Sequence, residues 1–284
     1  MTDKYYGYAG SILHVNLTTG KIRKEKLDLD IARKFIGGLG VNEKLGYDLI
    51  KPGIDPLSPE NIIIIGVGPL VGTIVPGSAR VYSLTKLPAN NAIGWGGGGG
   101  VEFGCMLKHS GYDHLIIEGR AETPVYLKIF DEDVEICDAG VWGKGQGQTV
   151  DSFRAEYGSP LGVLAMGQGG ENLVRFSMAF IDKLSTIGRG GLGAVMGSKN
   201  LKAIVAKGTK GIKVADPKKF RELCEGLYER IRNYPALKDA HKFGFLNYMP
   251  AMPMEDYLEF EPGRVACIGC PIGDKDILHV KKGE

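Results

Sequence analysis

Cys267-Ile268-Gly269-Cys270-Pro271 carries the densest potential chemistry in the 284-residue sequence. A Cys-x-x-Cys turn lets two thiolates converge on one soft metal ion or iron–sulfur cluster, and the glycine between them permits the bend. Two cysteines do not complete a four-thiolate site. A redox dithiol is the competing chemistry, yet such pairs sit between a strand and a helix, whereas this one follows Pro262-Gly263 in a loop-like stretch. Ordinary buried cysteines are the third reading. Cys105, Cys137 and Cys224 complete an odd set with irregular spacing, unlike a secreted disulfide framework. His14, His109, His114, His241 and His279 form no His-x-x-His pattern, so they are expected to be ordinary surface or core residues.

Glycine is the second signal: 43 residues, roughly twice the average usage of about 7%, and clustered. Gly188-Arg189-Gly190-Gly191-Leu192-Gly193 satisfies Gly-x-Gly-x-x-Gly. A dinucleotide fold places that fingerprint after an early strand with an acidic residue about 20 positions onward, and the region near 200–210 offers none. What the segment supplies is a run of backbone N–H groups with Arg189, Lys199 and Lys202 nearby in sequence, suited to a phosphate-bearing ligand. The plain alternative is a turn packing helix against sheet. Gly96 to Gly100 are five consecutive glycines beside Trp95. Such a backbone is either flexible or lies directly against something large, and its apolar and aromatic frame favours a ligand platform.

The elements that must position these residues are mostly short strands. Ser11 to Leu17, turned by Thr18-Thr19-Gly20, opens a hairpin, and helices are expected over 30–36 and 41–50. The β-branched run 62–67 has the character of a strand buried on both faces. Further strands are expected at 80–85, 113–118, 125–130, 134–137, 161–166, 173–180 and 201–207, with helices at 101–109 and 149–157 and a short helical stretch opened by Gly188 to Gly193 and running through Lys199. From Asp216 the pattern changes: Pro217 at a helix start and Phe220, Leu223, Leu227 and Ile231 at helical spacing predict an amphipathic helix. The fold class expected is α+β. Residues 1–208 form a β-rich domain of two sheets with short helices, and 209–284 begin a mostly helical domain that carries the cysteine pair. No internal repeat is visible.

With 35 Lys+Arg against 33 Asp+Glu the formal charge is +2, which gives no reason to expect nucleic acid or an anionic membrane as partner. No signal-type segment and no long apolar stretch stand in the sequence, so a cytoplasmic location is expected.

Several segments together resemble the aldehyde:ferredoxin oxidoreductase family of tungsten or molybdenum pterin enzymes. They are Gly10 to Gly20, Pro56-Leu57-Ser58-Pro59-Glu60-Asn61, Gly111-Tyr112-Asp113, Gly170-Glu171-Asn172, the long string Gly190 to Ala203, and Ala266 to Gly273. The resemblance implies a two-sheet base for a tungsten (or molybdenum) bis-pterin, a four-iron (4Fe-4S) cluster beside it, and oxidation of aldehydes to acids with ferredoxin as acceptor. The metal dithiolene then does the difficult chemistry, and the protein supplies orientation and charge.

By motif, Arg80 falls at the pterin-contacting arginine, and Gly97, Gly98, Gly99 and Gly100 cover the pterin turn, which lacks its usual Asn. Ser185, Thr186 and Gly188 stand where the family has Arg, Ala and Gly, so one fixed positive charge is missing. Cys267 and Cys270 match the first two cluster cysteines, and Asp274 stands in place of the third. A cluster would then take Asp as ligand, or be altered or absent. Family members are roughly twice as long, so the resemblance covers a first half: a fragment, a split subunit completed by a second polypeptide, or a diverged cofactor-binding relative. Gly37 to Asn42 and Ser185-Thr186 are also similar to the tungsten subunit of ATP-independent benzoyl-CoA reductases, which makes aromatic-ring reduction the alternative enzyme reading. A non-catalytic pterin-binding or assembly module is the alternative outside enzymes.

Overall fold

The computed structural model describes residues 5–244, 263–273 and 275–277. The chain divides into two compact units, Met1–Thr73 with Ala79–Ala215, and Ile74–Ser78 with Asp216–Glu284.

The first unit is built on two six-stranded mixed sheets. Sheet one comprises β1 (Ser11–Asn16), β2 (Ile22–Lys26), β3 (Ile63–Val67), β4 (Arg80–Leu87), β5 (Ala92–Gly99) and β6 (His114–Glu118), in the order β2-β1-β6-β3-β4-β5. Sheet two comprises β7 (Val125–Phe130), β8 (Asp133–Asp138), β9 (Gly162–Met166), β10 (Ala179–Ile181), β11 (Ser185–Ile187) and β12 (Leu201–Lys207), in the order β8-β7-β12-β9-β10-β11. As the β-branched pattern requires, all of β3 is buried, and β9 and nearly all of β12 are buried with it.

The two sheets repeat one topology. Each opens with an antiparallel hairpin (β1/β2, β7/β8) whose first strand pairs in parallel with the last strand of its sheet (β6, β12). The remaining neighbours are antiparallel in both. Helices α1 (Leu29–Phe35) and α2 (Leu39–Leu49) follow the first hairpin, and α4 (Gln146–Tyr157) follows the second. A seven-residue helix precedes the last strand of each sheet, α3 (Phe103–His109) and α6 (Leu192–Ser198). The repeat is one of connectivity and not of residues. Apart from Phe103-Gly104 and Leu192-Gly193 at the two helix starts, little in the residues betrays it.

The sheets meet at both ends. Lys24 on β2 bridges to Glu132 in the β7–β8 turn at 3.1 Å, and β11 lies against β5. The buried helix α3, which belongs to the first half, packs on β9 and β12 of the second.

Two expectations change. The glycine stretch expected as a loop-like platform is strand β5, held in full register with β4 from Leu87↔Ala92 to Arg80↔Gly99. The strand expected over 173–180 shortens to β10, because the four-residue helix α5 (Gln168–Glu171) and the turn at Leu173, with φ of 56°, occupy the preceding chain.

The second unit begins with α7 (Pro217–Arg232), where the Asp216 side chain accepts from the Lys219 N–H at 3.0 Å and Pro217 takes the first turn. Of the α7 residues only Cys224 is buried; Leu223 is 61% exposed. Helix α8 (Leu237–Phe243) and the two-stranded β13 (Gly263–Val265) and β14 (Lys275–Ile277) follow.

Candidate functional site

Directly opposed residues of an antiparallel pair share a face, and alternate residues change face. The β4–β5 register therefore puts Arg80, Tyr82, Trp95, Gly97 and Gly99 on one side, and Gly96 and Gly98 on the other. On that second side β11 fills the space. A Cβ on Gly96 would stand 3.0 Å from the Ile187 carbonyl oxygen, and one on Gly98 would collide with the Thr186 carbonyl. Part of what the five glycines accommodate is thus the neighbouring sheet's own backbone. Gly188, at φ +53°, continues the close approach: its Cβ would be 2.6 Å from the Gly96 Cα.

The first side stays open towards solvent at Arg80 and Trp95, both exposed. The Tyr82 ring leans over Gly97, where a Cβ would come within 2.8 Å of its Cε1 and 3.7 Å of the Arg80 Nη1. Tyr82 and Trp95 meet edge to face, with centroids 6.1 Å apart. Beside them the Gly99 N–H donates to Ser185 Oγ at 3.0 Å. Arg189 is exposed just beyond Gly188. Ser185, Thr186 and Gly188 thus lie against the face of β5 opposite Arg80, Tyr82 and Trp95, and Arg189 follows one residue beyond Gly188.

Lys199 and Lys202 do not join them. Both are fully buried: Lys199 Nζ donates to the carbonyls of Pro59 at 3.1 Å and Gly119 at 3.0 Å, and Lys202 Nζ donates to the Lys144 carbonyl at 2.7 Å and pairs with Glu171. Burial pulls Lys199 down to about 8 against the pull of Glu118 and Glu60. The N–H groups expected to meet phosphate are partly used as well, since Gly193 donates to the Ser177 carbonyl at 3.0 Å and α6 is wholly buried. These lysines are internal braces, and spacing alone could not reveal their burial.

Three buried groups that support the site escaped the sequence reading. Asp182, in the β10–β11 turn, accepts from the N–H groups of Glu102 (3.0 Å), Phe103 (2.9 Å) and Val163 (2.7 Å), so one carboxyl ties β11's turn to the start of α3 and to β9. Burial pushes it up to about 6, opposed by those hydrogen bonds. His114 holds Asn42 Oδ1 at 2.8 Å through Nδ1, and Asn42 Nδ2 donates to the Tyr82 carbonyl at 3.1 Å, bracing β4 from behind. Its burial lowers it to about 4, which keeps it neutral. Lys108 pairs with Asp113, both fully buried, and Asp113 also accepts from the N–H groups of Ala9 and Gly10. Burial lowers the Lys108 pKa while Asp113 opposes the shift. A Gly-Tyr-Asp triplet at a strand start was the available signal for Asp113; a lone Asp or His carries none.

The residues fit a flat, phosphate-bearing group: exposed guanidinium at Arg80 and Arg189, a floor of strand backbone and an aromatic edge. A cluster is fitted less well. Cys267 and Cys270 are half-buried and free, in a turn closed by Cys270 N–H to the Cys267 carbonyl at 2.9 Å with Gly269 at φ +71°. Among the described residues no group of three or more His, Cys, Asp or Glu is placed to hold a metal ion. Asp274 lies outside the described residues.

Comparison with known proteins agrees in one direction. The profile of the aldehyde ferredoxin oxidoreductase N-terminal domain matches residues 12–208. The tungsten-containing aldehyde ferredoxin oxidoreductase of Pyrococcus furiosus is 44% identical over 232 residues, covering 81% of this chain and 38% of that protein. The WOR-like subunit of an aliphatic sulfonate oxidoreductase from the same organism is 36% identical over 246 residues, covering 80% and 39%. Among solved structures, the active-site complex BamBC of benzoyl coenzyme A reductase, with bound 1,5-dienoyl-CoA, superposes with a TM-score of 0.87 at 28% identity, over 98% of this chain and 48% of that one. The chain thus spans about two fifths of the curated relatives it matches. With the matched range running through both repeated sheets, the chain belongs to the aldehyde ferredoxin oxidoreductase family.

Proposed function

We propose that the two-sheet unit is the cofactor-cradling part of a tungsten bis-pterin oxidoreductase that oxidises aldehydes to carboxylic acids, passing electrons to ferredoxin. The observation that carries this reading is the close approach of β11 and Gly188 to the glycine backbone of β5, whose other face carries the exposed Arg80. When bound, the tungsten dithiolene supplies the two-electron chemistry. The chain's own residues bind and orient. Arg80 and Arg189 offer bidentate donors to phosphoryl oxygens. Gly99 and Gly100 admit a close approach, and Tyr82 and Trp95 bound it on one edge. Two halves of identical topology suit a cofactor with two equivalent pterins.

Cys267, Cys270 and Asp274 are assigned to an iron–sulfur site that remains incomplete without further ligands, and the rest of the active site to polypeptide beyond the matched share, in this chain's continuation or a second subunit. Molybdenum in place of tungsten and a purely cofactor-binding role are the remaining variants. A cytoplasmic location accords with the absence, among the described residues, of any helix long and apolar enough to cross a membrane. Reduction of an aromatic acyl-CoA is the second reading, favoured by the likeness to benzoyl coenzyme A reductase over nearly the whole chain.

The test is anaerobic purification of the complete protein, with tungsten content measured beside aldehyde-dependent reduction of ferredoxin. Tungsten with aldehyde turnover supports the reading. Tungsten with turnover only of aromatic acyl-CoA moves it to the second, and no metal leaves only the binding module.

A further inference from the structure

We infer that Ser185 is a positioning residue that locks the bare backbone of β5 onto β11, and so holds the cofactor face of Gly97 to Gly100 in register. The inference rests on the pterin-cradle reading for its consequence, but the lock itself is a property of the folded chain.

β11 is only three residues long, and Ser185 pairs with Ile181 at its outer end. A strand so short gains little rigidity from its own ladder. Its other neighbour is a strand whose glycines lack the side chains that normally fix one sheet against another. Backbone approaches backbone there so closely that a single Cβ on Gly98 would part the two strands. The Ile187 and Ile181 side chains reach the positions of Gly96 and Gly98, and van der Waals contact of this kind sets the spacing of the two strands but has no directionality of its own. A directional bond is what fixes them, and the structure supplies one: the Gly99 N–H donates to Ser185 Oγ at 3.0 Å. Gly99 lies opposite Arg80 in the ladder, so the bond sets the position of the same backbone that faces the arginine.

The position is informative because the family resemblance places an arginine there. A guanidinium has donors and no acceptor, so it could not accept the Gly99 N–H. The serine oxygen accepts the Gly99 N–H, and its own hydrogen stays available to a further acceptor. No redox or bond-making step is involved.

Amide hydrogen exchange at Gly99, resolved by NMR or by fragment mass spectrometry across 94–100, reads the lock directly. Pterin retained per chain after dialysis, measured by fluorescence of the oxidised pterin released in acid, reads its consequence. Ser185→Ala is expected to speed Gly99 exchange at least tenfold and to lower retained pterin severalfold. Ser185→Thr, which keeps the γ-hydroxyl, is expected to restore both, and Ser185→Arg to leave exchange fast although it returns the charge. Unchanged Gly99 exchange in Ser185→Ala, or no rescue by threonine, overturns the lock. Slow exchange in a wild-type protein that never acquires pterin leaves the lock standing and refutes the cradle reading instead.

Discussion

His114 and Asp182 are buried ionisable groups that pull acid stability in opposite directions. His114 takes up a proton only near pH 4 in the folded chain, against 6.5 when free. Its burial therefore costs nothing above pH 6.5, and stability falls as the pH drops towards 4, by roughly 3 kcal/mol in all. Asp182 titrates near 6 in place of 3.8. Its contribution to stability is full below pH 3.8 and is lost as the pH rises through 6. Between these limits the slopes oppose each other, so the wild type is expected to show a shallow pH dependence. His114→Gln should gain stability on acidification, and Asp182→Asn should lose it more steeply than wild type. Urea midpoints between about pH 4 and 6.5 measure this; parallel slopes in all three proteins would contradict it. Glycine supplies the second residue-level prediction. Gly98→Ala should destabilise the fold by roughly 1–3 kcal/mol through overpacking against the Thr186 carbonyl. Gly140→Ala, whose Cβ would meet nothing within 4 Å, should change thermal unfolding little. Equal melting temperatures for the two variants would contradict the crossing of β5 and β11.

Elements with a strong pattern of their own were legible in the sequence. The Ile62 to Val67 run, the 201–207 run and the α7 stripe each carry an apolar period that needs no partner to be recognised. β5 and β11 were not. Glycine has no strand propensity, and β5 exists because β4 pairs with it along its whole length. β11 is three residues whose only reason to be extended is the pairing with β10. The candidate site was half legible for the same reason. Arg80, Trp95 and the glycines were readable from the sequence, whereas Tyr82 and the Ser185 bond depend on which faces the register turns outward. Trp95 provides a test of that facing. It is 53% exposed on the same side as Arg80, and the sequence holds two tryptophans. Loading with pterin cofactor is expected to quench the Trp95 emission and to shield it from iodide. Trp95→Phe should abolish the cofactor-dependent change and leave the Trp142 signal. A change that survives in Trp95→Phe would place the cofactor elsewhere.

At the scale of the molecule, a repeated topology brings two equivalent edge strands together, and α3 of the first half covers the second sheet, where the Asp182 carboxyl holds its start. The central claim is that the meeting of β5 and β11 holds a bis-pterin through Arg80 and Arg189. Pterin bound per chain in the anaerobically purified complete protein tests it most directly, measured for wild type, Arg80→Ala and Arg189→Ala. Because both arginines are exposed, the variants are expected to fold. The account predicts two pterins per chain in wild type and a loss of severalfold or more in Arg80→Ala, with a smaller loss in Arg189→Ala. Absence of pterin from the wild type, or full occupancy in both variants, would contradict it.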